Sequence, residues 1–182
     1  MKVLSVLIAL LIYLPVSGQD AQIFICNDGK VDFVSNAPLE LIKASSDELA
    51  GALNITDRSF SFRIASKSFE GFNTPLQRIH FNEDYLESKR YPNSMFKGKI
   101  IEEIDLKNLG NYTIRAKGIL TIHGIEYNRI IRCNLEVKKD LITVKSSFTV
   151  FLDDHNITIP SIVNQKIAEE ISVEINLNLK PR

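Results

Sequence analysis

The sequence predicts a mainly β chain whose antiparallel strands close into a barrel of about eight strands, with one short helix at a barrel end or seam. Three observations carry that prediction: strict period-two alternation of apolar and polar residues from Ile100 onward, short turn-rich connections between the alternating runs, and no proline inside the four clearest runs. Long strands without edge-protecting devices favour closure, because a closed barrel has no free edge.

Four strands are plain. Tyr112, Ile114, Ala116, Gly118, Leu120 and Ile122 alternate with polar residues, as do Ile131, Cys133, Leu135 and Val137, then Ile142, Val144, Ser146, Phe148 and Val150. The last run sets Ile171, Val173, Ile175, Leu177 and Leu179 against Ser172, Glu174, Asn176 and Asn178. Each such strand has one dry and one wet face. His123-Gly124-Ile125-Glu126 and Lys138-Lys139-Asp140 read as the hairpins between them. Upstream the pattern is weaker, with strands expected at 22–26, 30–36, 39–44, 49–55, 59–65 and 95–104. Asn27-Asp28-Gly29, Ser45-Ser46-Asp47 and Thr56-Asp57-Arg58 read as the turns that separate them, which gives eight or nine strands overall.

Thr74-Pro75-Leu76-Gln77 is a capping box with proline at the first helical position, and it opens a helix expected to run to about Glu87. Leu76, Ile79, Glu83 and Leu86 follow at helical spacing, so the apolar stripe is narrow and suits an end or seam of the sheet. A second helical turn is expected near Ser161–Ala168, after Pro160.

Lys2 followed by the apolar run Val3 to Val16, Pro15 and the small residues Ser17 and Gly18 reads as a signal peptide over residues 1–19. The run is shorter than the roughly 20 residues that a bilayer-spanning helix needs. No cysteine stands at the expected cut to carry a lipid, so a freely soluble product is predicted. Residues 20–182, about 163 of them, then form one domain. Taking Lys2 from the 22 basic residues leaves 21 against 22 acidic ones, a balance that gives no nucleic-acid footprint and no charged tail. Two cysteines remain, in a compartment that permits disulfides. Cys133 falls on an apolar face while Cys26 is out of phase with Ile23 and Ile25, so the thiols are expected on opposite sides of the wall and unbridged.

Three segments resemble the YceI-like family of exported lipid-binding proteins. They are Arg78-Ile79-His80-Phe81-Asn82-Glu83-Asp84-Tyr85-Leu86-Glu87-Ser88 leading through Tyr91-Pro92 to Met95-Phe96-Lys97-Gly98-Lys99-Ile100, then Gly118-Ile119-Leu120-Thr121-Ile122-His123-Gly124-Ile125, then Phe148-Thr149-Val150-Phe151-Leu152 with Ile157-Thr158-Ile159-Pro160. They occur in the family's order and span nearly all of residues 20–182. The resemblance implies a lipocalin-like barrel with a polyisoprenoid chain buried in an apolar tunnel, and a periplasmic or secreted location. It also implies that the sequons at Asn54, Asn111 and Asn156 go unmodified in a bacterial envelope. Where the family often has Thr and a basic residue after the His-Gly hairpin, this chain has Glu126 and Tyr127, so a head-group contact there is not expected.

The residues expected to line the interior are Phe33, Phe60, Phe62, Ile79, Phe96, Leu120, Ile122, Leu135, Val144, Phe148 and Ile175. Phenylalanine in place of Trp or Tyr leaves no polar atom unpaired beside a hydrocarbon. His80 reads first as a structural residue that pins the helix to the rim through a backbone carbonyl, and second as a head-group contact. Arg78 and Lys97 read as solvated cations. No zinc-type spacing, nucleophile elbow or phosphate loop is present, and Asp153-Asp154-His155 reads as a solvated loop rather than a metal site. No enzyme, metal or cofactor is therefore expected. The partner is an apolar lipid of isoprenoid type, held for transport or storage. The alternatives are an enzyme acting in the same cavity and a filled-core envelope interaction module.

Overall fold

In the computed structural model, which describes residues 22–182, eight strands pair in sequence order and the last returns to the first. The signal segment expected at 1–19 lies outside the described residues. The strands are β1 (Ile23–Asn36), β2 (Leu41–Asn54), β3 (Ser59–Ala65), β4 (Asn93–Ile100), β5 (Gly110–Ile122), β6 (Ile125–Lys138), β7 (Leu141–Phe151) and β8 (Glu170–Pro181). Every ladder is antiparallel, and β8 pairs with β1 from Phe24↔Pro181 to Ser35↔Ile171. Closure leaves no free edge, as the long proline-free runs require.

Two expected turns are bulges instead. Residues 22–26 and 30–36 belong to one strand, β1, whose register shifts between Cys26 and Gly29 and again between Gly29 and Val31. The facing segments 39–44 and 49–55 likewise merge into β2. A Cβ on Gly29 would stand 2.8 Å from Leu177 Cβ and 3.2 Å from Cys26 Sγ, so only glycine lets the wall fold inward here. The bulged pair is also why both cysteines point inward, against the expected opposite faces. Both thiols are buried and unbridged.

The helix starts where its cap predicts and changes character early. Helix α1 (Pro75–His80) begins with Thr74 Oγ1 accepting from Gln77 N at 3.2 Å, while Gln77 Oε1 accepts from Asn73 N at 3.1 Å. From Phe81 to Tyr85 the chain continues as a π-helical turn, which rotates Tyr85 and Leu86 relative to an ideal α-helix. The turn expected after Pro160 is a short 3₁₀ segment, Ser161–Val163.

Because successive strands alternate in direction, the connections 37–40, 66–92, 123–124 and 152–169 gather at one end, here called the mouth. The connections 55–58, 101–109 and 139–140 gather at the other. Leu106, 1% exposed, and buried Ile55 plug that closed end.

Two ladders stop short, and side structure completes the wall. β2 and β3 share only the pairs from Ala50↔Arg63 to Leu53↔Phe60, and above them Ser45 exchanges two backbone bonds with Glu70 at 2.8 Å. β6 and β7 pair only from Cys133↔Ser146 to Lys138↔Leu141. Above that, the 152–157 loop fills the gap: His155 is 1% exposed and its Nδ1 donates to Ile125 O at 3.3 Å. Arg129 spans the same gap, donating to Thr149 O at 2.6 Å and pairing with Asp154 at 3.5 Å. Asp154 and His155 therefore belong to the barrel wall, while Asp153 keeps the solvated position expected of the loop. Burial lowers the His155 pKa below its ordinary value, which favours the neutral ring.

The β5–β6 connection is a two-residue turn, with Ile122 opposite Ile125 and positive φ at His123 and Gly124 (52° and 71°). A Cβ on Gly124 would stand 2.3 Å from the Tyr91 ring. His123 Nδ1 donates to His155 O at 3.1 Å and Nε2 lies 2.8 Å from Glu87 Oε2, so this turn ties the segment after the helix to the wall plug.

Candidate functional site: an apolar cavity inside the barrel

The inward faces do not meet. They enclose a cavity of about 590 Å³, within the roughly 300–1,000 Å³ typical of small-molecule sites. The core is therefore hollow rather than filled. The lining extends along β8 from Ile171 to Leu179, roughly 26 Å of strand at about 3.3 Å per residue, or about 20 Å along the axis for a tilted strand.

Ten of the expected lining residues face this space: Phe33, Phe60, Phe62, Phe96, Leu120, Ile122, Leu135, Val144, Phe148 and Ile175. Ile79 does not; it is 50% exposed and lies outside the lining. α1 turns Leu76, Gln77 and His80 to the mouth, and Ile79, two residues past Gln77, falls on the other side of the helical turn. The π-helical turn then presents Phe81, Tyr85 and Leu86 rather than Glu83.

Aromatic residues from outside the strands complete the wall. Phe33 on β1 stands 5.3 Å from Phe69, 5.9 Å from Phe72 and 5.4 Å from Phe81, ring centre to ring centre. This cluster seals the side where β2 and β3 part. Below it, Phe60 contacts Phe96 at 5.0 Å and Phe62 at 6.1 Å. Eight of the ten phenylalanines line the cavity, leaving out only Phe24 and Phe151. Phe69, Phe72 and Phe81 carry no periodic signal, so the only trace of them in the sequence was the phenylalanine count itself.

The interior offers few polar atoms. Ser146 Oγ donates to Arg132 O at 2.8 Å, and Ser35 Oγ accepts from Ala168 N at 2.9 Å, so both hydroxyls are engaged by backbone. Cys133 lines the cavity with its thiol pKa pushed up by burial, which favours the neutral, apolar form. Glu40, Gln77, His80 and Lys166 stand at the mouth, where Gln77 Nε2 donates to Glu40 Oε1 at 2.5 Å. His80 is half-exposed and its Nδ1 bonds Asp84 Oδ2 at 2.5 Å. It pins nothing to the wall; that role falls to His123 and His155. Arg78 is held by Lys67 O at 3.1 Å and Glu70 at 3.5 Å, and Lys97 is exposed. Among the described residues no three potential ligands group to hold a metal ion, and no helix is long and apolar enough to cross a membrane.

A closed eight-stranded barrel around one deep apolar cavity, plugged at one end, defines a container of the lipocalin-like class. The chain belongs to the YceI-like family: the family model matches residues 28–179. Solved structures agree on the fold. A polyisoprenoid binding domain from Saccharophagus degradans, implicated in plant cell wall breakdown, is 14% identical with a TM-score of 0.77, covering 90% of this chain and 100% of that one. BcnA of Burkholderia cenocepacia is 15% identical with a TM-score of 0.63, covering 82% and 95%. The YceI protein of Campylobacter jejuni is 15% identical with a TM-score of 0.56, covering 100% and 99%. No curated protein matches.

Proposed function

We propose that the protein binds a polyisoprenoid or similar long apolar chain inside the barrel and carries or stores it in aqueous space outside the cytoplasm. The observation that carries this reading is the cavity of about 590 Å³, lined almost wholly by apolar side chains and opening at the mouth. The Saccharophagus neighbour described as a polyisoprenoid binding domain supports the choice of ligand, and the apolar run behind Lys2 supports export from residue 20 onward.

The energetics suit a ligand without hydrogen bonds. One prenyl unit of five carbons gains roughly 3 to 4 kcal/mol on burial, at about 0.8 per methylene-sized group. Several units in a preformed cavity bind tightly through area alone. The tail points to the plugged end and the polar end stays at the mouth, where His80 is the head-group contact. The Saccharophagus neighbour is described as a binding domain, which supports holding the ligand over transforming it.

Native mass spectrometry of protein purified from its own host without detergent tests this. The expected spectrum shows an added mass of several hundred daltons that organic solvent removes; apo-protein alone across preparations sinks the reading.

A further inference from the structure

Apolar side chains that face water ring the mouth. Leu39 and Leu41 at the β1–β2 connection, Leu76 and Ile79 on α1, and Ile162 in the 161–163 turn are all exposed, Ile162 at 89%, Leu39 at 68% and Leu76 at 57%. They come from segments far apart in sequence that are bonded to one another. Leu39 N donates to Gln165 O at 2.9 Å, and Ala168 N donates to Ser35 Oγ at 2.9 Å. Asn73 Nδ2 donates to Leu41 O at 3.0 Å, and Gln77 Nε2 reaches Glu40. The rim is thus one connected surface.

The same segments line the cavity where it opens, through Glu40, Leu76, Gln77, Val163, Lys166 and Ile167. Through Leu76, Val163 and Ile167 the exposed apolar surface adjoins the apolar interior, with Glu40, Gln77 and Lys166 interspersed. Leu109 and Ile101 are also exposed, but at the plugged end, where no opening accompanies them.

We infer that this rim docks on the surface of a lipid bilayer, with the cavity mouth set against the acyl layer. The inference rests on the carrier reading above and names the partner with which cargo is exchanged. A chain as apolar as this cavity demands is dissolved in bilayers and not in water. Passing it across an aqueous gap exposes every prenyl unit, whereas a mouth seated among the head groups keeps the path dry. Leucine and isoleucine on a connected rim are the side chains that gain from such insertion.

Charge does not carry the docking. The connections at this end hold five basic side chains (Lys67, Arg78, Lys89, Arg90 and Lys166) against eight carboxylates, with Arg78 paired with Glu70 and Lys89 with Glu83, so the rim presents both signs and no net basic field. Binding is accordingly expected on zwitterionic lipid and to change little with salt, unlike the anionic-lipid attraction of a polybasic patch.

The test is sedimentation of the full mature chain with phosphatidylcholine vesicles, comparing wild type with Leu39→Ser/Ile79→Ser/Ile162→Ser and with Leu109→Ser at the plugged end. None of these side chains lines the cavity, so binding of a soluble fluorescent apolar probe is measured alongside. Wild type and Leu109→Ser should bind vesicles equally, and the triple variant should bind about ten-fold or more weakly while still taking up the probe. Absent vesicle binding by wild type, or unchanged binding by the triple variant, overturns the docking inference. So does a rim-dependent dimer that replaces vesicle binding, which would assign the rim to a second copy of the chain. Failure of the probe to bind any variant would instead count against the carrier reading.

Discussion

Phe148→Asp should empty the barrel. The ring lies on the inner face of β7 opposite Val173 of β8, half-buried, with its edge on the cavity. An aspartate there places a carboxylate in a lining made almost wholly of hydrocarbon, where a few scattered hydroxyls are a poor substitute for water. The group either draws water into the cavity or stays protonated, and both outcomes cost the apolar ligand its dry contact. Occupancy in native mass spectra should fall by about a hundred-fold or more, since one unpaired buried polar group costs several kcal/mol. Phe148 is only half-buried, so circular dichroism should still show a folded barrel. Phe148→Leu, which keeps the wall apolar, should retain most of the ligand. If Phe148→Asp stays fully loaded, the ligand does not lie beside β7.

The second large effect concerns the wall. Gly118 of β5 sits directly opposite Gly98 of β4. A Cβ on Gly118 would stand 2.2 Å from Lys97 O, and one on Gly98 would stand 2.1 Å from Lys117 O. Backbone rather than a flexible side chain is in the way, so neither neighbour can yield without breaking the ladder. Paired glycines let the two strands cross closely where the barrel bends sharply. Gly118→Val should therefore lower stability by about 3 kcal/mol or more, read as a drop in the urea midpoint. Lys117→Ala, one residue away on the wet face, should shift it by no more than about 0.5 kcal/mol. A near-neutral Gly118→Val would mean the two strands are farther apart than they stand here.

Which parts of this architecture could be read from the residues follows from where periodicity survives. From Gly110 to Pro181 the strands alternate almost without fault, and their cavity-facing residues, from Leu120 to Ile175, were found by parity alone. In β1 and β2 parity breaks at Gly29. The bulge there wears the same Asn-Asp-Gly chemistry as a turn, so two long strands read as four short ones and parity puts the Cys26 thiol on the face opposite Cys133. Ile79 misled for a related reason: a stripe only one side chain wide does not fix a helix's rotation, and the π-helical turn after His80 shifts it further. Polarity hides the role of Asp154 and His155, because a loop that fills a gap in a barrel wall has a solvated loop's composition. The rim carries no sequence signal, since Leu39, Ile79 and Ile162 lie on separate segments that only the fold brings to one end of the barrel.

The central claim is a continuous hollow deep enough for an extended chain, and displacement of a bound fluorescent apolar probe by prenols of increasing length tests it most directly. Affinity should rise by more than about ten-fold with each added prenyl unit until the depth of roughly 20 Å is filled, and then level off. Affinity that does not depend on chain length, or a probe that no prenol displaces, would contradict it.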